Sequence, residues 1–331
     1  MKKHTFLLLS MLGGMTVLGD VPPPPPRKSS GVKTEAKTVT AVDDETKGVV
    51  TVKMGDQVFT EFHYKGHMKP VLAPIFGPTG ARMTRQWPMG EALPNEATDH
   101  PHHKGIWFTH GDVNGIDFWA ESSKTGQIRV SGKPVIKEGA GEVTIQTTED
   151  WKDPDGKTTV CQSATTITCG TDGEDRFIDY TIKITASEGE LKFGDTKEGT
   201  MGIRSSPALN LKGKGAAGHA VNSEGIKDGD IWGKPARWVD YAGEVEGKVA
   251  GIACFDHPSN LRHPTTWHAR DYGLIAANPF GLHDFEKKPK GAGDYVIRKG
   301  ESLTLRYRWL FHAGDTAAAK IEERWKKWAG K

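Results

Sequence analysis

Seven of the thirteen histidines fall in two short segments, Asp99-His-Pro-His-His-Lys-Gly-Ile-Trp-Phe-Thr-His110 and Asp256-His-Pro-Ser-Asn-Leu-Arg-His-Pro-Thr-Thr-Trp-His268. Free imidazole changes charge between about pH 5 and 8, so such a concentration predicts a polar pocket suited to general acid and base catalysis near neutral pH. His100, His102, His103 and His110 would supply one wall, and His257 and His268 would face them. Glycines follow the first segment in Gly111-Asp-Val-Asn-Gly-Ile-Asp117, where a missing side chain lets polar groups and backbone approach a ligand. There Asp112, Asn114 and Asp117 would orient hydroxyls or the histidines themselves.

A third polar run, Phe193-Gly-Asp-Thr-Lys-Glu-Gly-Thr-Met-Gly-Ile-Arg204, sets charges among glycines and apolar residues. It predicts a partly buried acid and base, with Glu198 as the carboxylate and Arg204 and Arg270 as facing cations. Trp107, Trp119, Trp232, Trp238 and Trp267 lie in or near these segments. Tryptophan beside carboxylates, amides and arginine is the mixture that stacks on sugar faces and hydrogen-bonds their hydroxyls, which tilts the expected ligand toward carbohydrate.

A metal is a further option, because His-x-His with a distant histidine or carboxylate can form a facial set for a divalent or transition metal. No Cys-x-x-Cys, His-Glu-x-x-His or calcium loop supports it, so no residue is assigned as a metal ligand and no cofactor is favoured. A phosphate-cradling glycine loop and the Gly-x-Ser-x-Gly elbow are also absent, which disfavours nucleotide cofactors and serine-hydrolase chemistry.

The elements that must position these residues read as strands. Val50, Val52 and Met54 alternate up to a Gly55-Asp56 turn, and Val58, Thr60, Phe62 and Tyr64 continue beyond it, a hairpin pattern. A second hairpin spans residues 142–168 around Asp153-Pro-Asp-Gly156. Ile178, Tyr180, Ile182 and Ile184 share one face of another strand, as do Leu303, Leu305, Tyr307, Trp309 and Phe311. Only the C-terminus reads as a helix, capped by Asp315 or Thr316, with Ile321, Trp325 and Trp328 on one side. The expected fold is all-β, a sandwich or barrel with one C-terminal helix and long loops at residues 70–99 and 258–290.

The N-terminus, Met-Lys-Lys-His followed by a short leucine-rich run, has the pattern of a cleavable signal peptide over residues 1–19. Residues 20–45, opening on Pro22 to Pro26, read as a linker, and residues 46–331 as a single domain. A periplasmic or secreted protein without a membrane span is expected. Lys and Arg number 44 against 42 Asp and Glu, with no basic stripe, so nucleic acid is not an expected partner. Cys161 and Cys169 lie in one extended segment about 27 Å apart, beyond disulfide reach, and buried free thiols are expected for them and Cys254.

The stretch Asp99-His-Pro-His-His-Lys-Gly-Ile-Trp-Phe-Thr-His-Gly-Asp-Val-Asn-Gly-Ile-Asp-Phe-Trp-Ala-Glu121 resembles the signature of a bacterial exported family of unknown function that automatic annotation labels "methane oxygenase PmoA". Val221-Asn-Ser-Glu-Gly225, Ile231-Trp-Gly-Lys-Pro-Ala-Arg-Trp-Val-Asp-Tyr241 and Trp267-His-Ala-Arg-Asp-Tyr-Gly-Leu-Ile-Ala-Ala-Asn-Pro-Phe-Gly281 extend the resemblance. The true membrane methane monooxygenase subunit is an integral membrane protein, so the label is not a function. The resemblance implies a galactose-mutarotase-like β-sandwich in an exported protein of polysaccharide-degrading bacteria. It transfers no catalytic residue; polar members of these segments, Asn222, Glu224, Tyr272 and Asn278, join Trp107, Trp119 and Trp232 as expected ligand-binding residues.

The leading expectation is thus an exported carbohydrate-active enzyme using histidine and carboxylate chemistry, as an epimerase, lyase or hydrolase. A non-catalytic glycan-binding protein and a metal-dependent oxygenase are the alternatives, since one β scaffold hosts many chemistries.

Overall fold

The computed structural model of the chain describes residues 38–330 together with Met1. The expected leader and most of the expected linker lie outside the described residues. The linker's far end does not: Val39–Asp44 is a strand paired with Val49–Met54, so the folded domain starts before residue 46. Alternation explains this, since Val39 is buried in the core beside Val50 and Val52.

Two large antiparallel sheets carry the chain. The first runs, in spatial order, Val39–Asp44, Val49–Met54, Gln57–His63, Val71–Ile75, Ile106–His110, Gly199–Arg204, Leu274–Ala277 and Trp267–Ala269. The second runs His219–Asn222, Trp238–Val245, Lys248–Asp256, Ser302–Ala313, Asp175–Thr185, Thr159–Asp172, Glu142–Lys152 and Gln127–Val130, with Val135–Gly139 also on Glu142–Lys152. Both expected hairpins form, the first with a bulge at Val52 and Lys53.

Period-2 patterning decides which side chains meet. Leu303, Leu305, Tyr307, Trp309 and Phe311 all enter the main core, as do Ile178, Tyr180, Ile182 and Ile184 from the neighbouring strand. Each large apolar side chain so buried contributes about 1.5–3 kcal/mol. Leu310, on the opposite face, packs with Phe177, Phe255, Ile321 and Trp325, so the helix Ile321–Trp328 covers the outer face of the second sheet. That helix starts later than its expected cap. Asp315 instead accepts the N–H of Ala318 in a preceding turn, and Thr316 donates to Asp240.

The two expected long loops contain regular structure. Strand Val71–Ile75 lies in the first, and strands Trp267–Ala269 and Leu274–Ala277 with the short helix Leu282–Glu286 lie in the second. Among the described residues there are therefore two α-helices rather than one. All three cysteines are buried free thiols. Among the described residues no helix is long and apolar enough to cross a membrane.

Candidate functional site

The first sheet has two faces of different character. Ile106, Phe108, Met201, Ile203, Ile275, Ala277, Trp267 and Ala269 point into the main core. Their alternating neighbours, Trp107, Gly202, Arg204, Leu274, Ala276 and His268, therefore occupy the outer face. Register aligns them: Trp107 pairs with Gly202, Gly202 with Ala276, and Ala276 with His268, one row across four strands. At Gly202 a Cβ would stand about 3.0 Å from the Trp107 ring, tighter than ordinary contact, so glycine leaves room for that indole against the next strand. Trp107, Trp119, Val71, Leu274 and Ala276 form a small apolar cluster there, with Met89 and Tyr272 against it.

On this floor sits the first histidine segment. Arg85, buried, donates to the carbonyls of Ala97, Asp99, His100 and His103 and to the Asp99 carboxylate, fixing the loop from beneath. Arg204, also buried, donates to Asp99 Oδ1 at 2.9 Å and to His103 Nδ1 at 3.3 Å. A guanidinium has no acceptor, so His103 Nδ1 carries the lone pair and the ring's proton is on Nε2. His103 stacks on Trp107, and His100 stacks on both His103 and Tyr272. Among the described residues no group of three His, Cys, Asp or Glu is arranged to hold a metal ion.

Trp119 forms the adjoining wall. Asp117 Oδ1 accepts the N–H groups of Trp119 and Ala120 at 2.7 and 3.1 Å, which sets the turn that presents the indole. Beneath it Lys69, 2% exposed, donates to Glu121 at 2.8 Å and to the Trp119 carbonyl at 3.4 Å, and Lys104 donates to the same carboxylate. Burial lowers the Lys69 ammonium to about 8. Burial alone would raise Glu121, but Lys69 and Lys104 hold it below the usual carboxylate range.

Facing these is a short segment tied down at each residue. Asn278 Nδ2 donates to the Thr196 carbonyl, His268 Nδ1 to the Lys197 carbonyl, and the Lys197 N–H to Asp284. The side chains of Lys197 and Glu198 are left to line a cavity and pair with each other at 3.1 Å. The cavity is about 430 Å³ and is closed by His100, His102, His103, Asp117, Trp119, Ala120, His268, Arg270 and Tyr272. Small-molecule sites span about 300–1,000 Å³. Another cavity, about 460 Å³, lies between Val221, Ala242, Val249 and Thr316 and gathers none of the expected site residues.

His102, His103 and His268 are not poised near neutrality as expected. Burial, reinforced by Lys69 and His100, lowers His102 to about 4. Burial, reinforced by Arg270 and Lys197 against the Lys197 carbonyl bond, lowers His268 to about 3. His103 is pushed down further by burial and by His102 and Arg204. At neutral pH these three rings are uncharged, able to accept or donate one hydrogen bond each and weakly basic. Among the described residues no acceptor meets the buried His103 Nε2 or the indole nitrogens of Trp107 and Trp119, a cost of about 1–3 kcal/mol each unless a ligand or water supplies one.

Of the expected residues, His100, His102, His103, His268, Glu198, Asp117, Trp119, Arg270 and Tyr272 line this cavity. Trp107, Arg204 and Asn278 support it from behind. His110 does not reach it. The alternation that sends Phe108 into the core sends His110 there too, where its Nε2 donates to the Gly194 carbonyl at 2.8 Å between Phe193 and Phe280. His257 accepts from Ser259 and meets Trp328 edge-on at the C-terminal helix. Asp112 accepts from Gly115, and Asn114 bonds Glu190 and Lys192, so both shape turns. Asn222 accepts from Glu224 and Ile226, and Glu224 pairs with Arg237. Trp232 packs on Phe285 and lines a neighbouring cavity, Trp267 donates to Ala236 in the core, and Trp238 donates to Glu322.

The sequence reading missed Lys197 as a lining residue and Asp99, Arg85, Lys69, Lys104 and Glu121 as supports. Asp99 and Lys104 sit inside the histidine segment and Lys197 beside Glu198, so their spacing was available. Arg85 and Lys69 are single cations in unremarked stretches, and only the tertiary structure brings them under the loop.

Comparison with curated proteins finds no match. Among solved structures, the galactosidase domain of alpha-galactosidase-sucrose kinase, AgaSK, is 9% identical with TM-score 0.38 over 84% of this chain, which spans only 42% of that one. A galactose mutarotase-like protein from Lactobacillus casei is 8% identical with TM-score 0.38, covering 83% of this chain and 100% of that one. One from Clostridium acetobutylicum is 7% identical with TM-score 0.37, covering 85% and 100%. Residues 49–326 match the model of a family of unknown function, DUF6807, and the chain belongs to that family.

Proposed function

We propose that this is an exported, carbohydrate-active protein that performs acid–base chemistry on a sugar held in the cavity between the first histidine segment and residues 196–198. The observation that carries the reading is the lining itself: Trp119 and Tyr272, the uncharged imidazoles of His102, His103 and His268, and the Glu198 carboxylate converge on one space of small-molecule size. Aromatic faces with a few placed polar groups suit a sugar ring and its hydroxyls.

Glu198 is the group able to take or return a proton, and Lys197 pairs with it at 3.1 Å. His268 gives its Nδ1 proton to the Lys197 carbonyl, so its Nε2 lone pair is the one available to accept from a sugar hydroxyl. Tyr272, raised by burial, stays a phenol able to donate. The lysine-rich start followed by an apolar run supports export.

The test is incubation of the mature protein with a panel of oligosaccharides, with products followed by mass spectrometry and NMR. Turnover is expected, falling about 100-fold or more in Glu198→Gln with the melting temperature retained. Turnover equal to wild type in Glu198→Gln would overturn the acid–base role. The depressed basicity of His102 and His268 favours a second reading, a glycan-binding protein in which these rings only exchange hydrogen bonds. Saturable binding with every oligosaccharide recovered unaltered would select it.

A further inference from the structure

Resting on the reading that the cavity holds a sugar, we infer that this sugar carries an anionic substituent, a carboxylate or sulfate, gripped by Arg270. Arg270 lines the main cavity and also a neighbouring one of about 320 Å³ bounded by Lys212, Trp232 and Asp271. Its backbone is fixed: the N–H donates to the Leu274 carbonyl at 2.8 Å, and its own carbonyl accepts from Tyr241 Oη at 3.2 Å and from Gly273. Its guanidinium lies over the Tyr272 ring at 5.5 Å. Among the described residues that guanidinium makes no hydrogen bond or ion pair, so five donors in a planar fork stand ready where the two cavities meet.

The lysines on these walls are already paired. Lys197 pairs with Glu198, Lys212 with Asp271 at 3.5 Å, and Asp117 is occupied by two backbone N–H groups. Beneath the walls the buried cations are held by carboxylates. Arg85 and Arg204 share the single carboxylate of Asp99, and Lys69 and Lys104 share that of Glu121. Glu96 also acts on both arginines and Asp117 on Lys69, so the cation left to face the cavities is Arg270. The fork geometry of arginine matches the paired oxygens of a carboxylate or sulfate, whereas a neutral sugar offers it only weaker, uncharged hydroxyl acceptors.

Calorimetric titration of the full mature chain with matched probes tests this: glucuronic acid, glucose 6-sulfate and glucose, and galacturonic acid, galactose 6-sulfate and galactose. At least one anionic member of a set should bind about 10- to 100-fold tighter than its neutral partner, with the advantage shrinking as salt is raised. The tighter-binding of the two anionic members then identifies the anion. Arg270→Gln should erase the difference and Arg270→Lys should keep part of it, with melting curves confirming that both variants fold. Equal binding of neutral and anionic sugars, or a preference that survives in Arg270→Gln, overturns the anion inference and leaves the sugar reading intact. Failure of every sugar to bind removes the sugar reading, and this inference with it.

Discussion

The two histidine segments begin with the same three residues, Asp-His-Pro, and are put to different uses. Asp99 is partly exposed and shared by two buried arginines, which hold it below the usual carboxylate range against the upward push of its partial burial. Asp256 is fully buried and raised by that burial, although His263 Nδ1, Asn260 Nδ2 and the Thr265 N–H all hydrogen-bond to it. The first carboxylate organises a loop whose rings face a cavity. The second closes an internal turn under Trp325, and of its segment only His268, at the end, reaches the cavity. Burial and the count of cationic neighbours, not the triplet, determine whether such a segment builds a site or a core.

The largest expected effect breaks the second segment. Asp256→Ala strips three donors of their acceptor and should cost about 3–5 kcal/mol in denaturant unfolding. Next, within the cavity, Glu198→Gln should lower sugar turnover about 100-fold, or about 2.7 kcal/mol, without comparable loss of stability. Asp99→Ala should cost about 1.5–3 kcal/mol, less than Asp256→Ala because Asp99 is partly solvated. The reverse order of the two aspartates would undo the comparison.

How much of this was legible follows from which signals are local. Alternation along Leu303 to Phe311 is a property of one strand, so the sheets could be expected; the short helix Leu282–Glu286 has no comparable pattern and was read as loop. The cavity's lining was legible as a cluster because His100, His102 and His103 are contiguous. His110 was misassigned although its own alternation with Ile106 and Phe108 pointed to the core. Arg85 and Lys69 carry no local mark: their role comes from an approach of the chain that only the folded sheet makes. Neutral pKa values for the rings were expected because burial and the number of cations beneath a loop are tertiary quantities.

Acidity sharpens the contrast further. His102 and His268 have folded values of about 4 and 3, below the 6.5 of free imidazole. As pH falls through 6.5 the unfolded chain binds protons that the folded rings refuse, so stability is full above about pH 6.5 and declines toward pH 4. The slope is at most about 1.4 kcal/mol per histidine per pH unit. Melting temperatures across that range should show it, and His268→Gln should make the decline shallower. His312 works the other way: although burial opposes its charge, Asp240 raises it, and its contribution fades as pH rises. Smallest of all, His257→Ala should change stability and turnover little, within about 0.5 kcal/mol, because that ring is partly exposed, bonding Ser259 and meeting the edge of Trp328.

The central claim is that ligand occupies the space between Trp119, Glu198, His268 and Tyr272. A crystal of the mature protein soaked with the tightest-binding sugar of the panel tests it directly. The account predicts density for the ring in that cavity, with an oxygen within hydrogen-bond distance of His268 Nε2 and Glu198. A sugar bound only in the cavity beside Val221, Ala242 and Thr316, with the histidine-lined space unchanged, would contradict it.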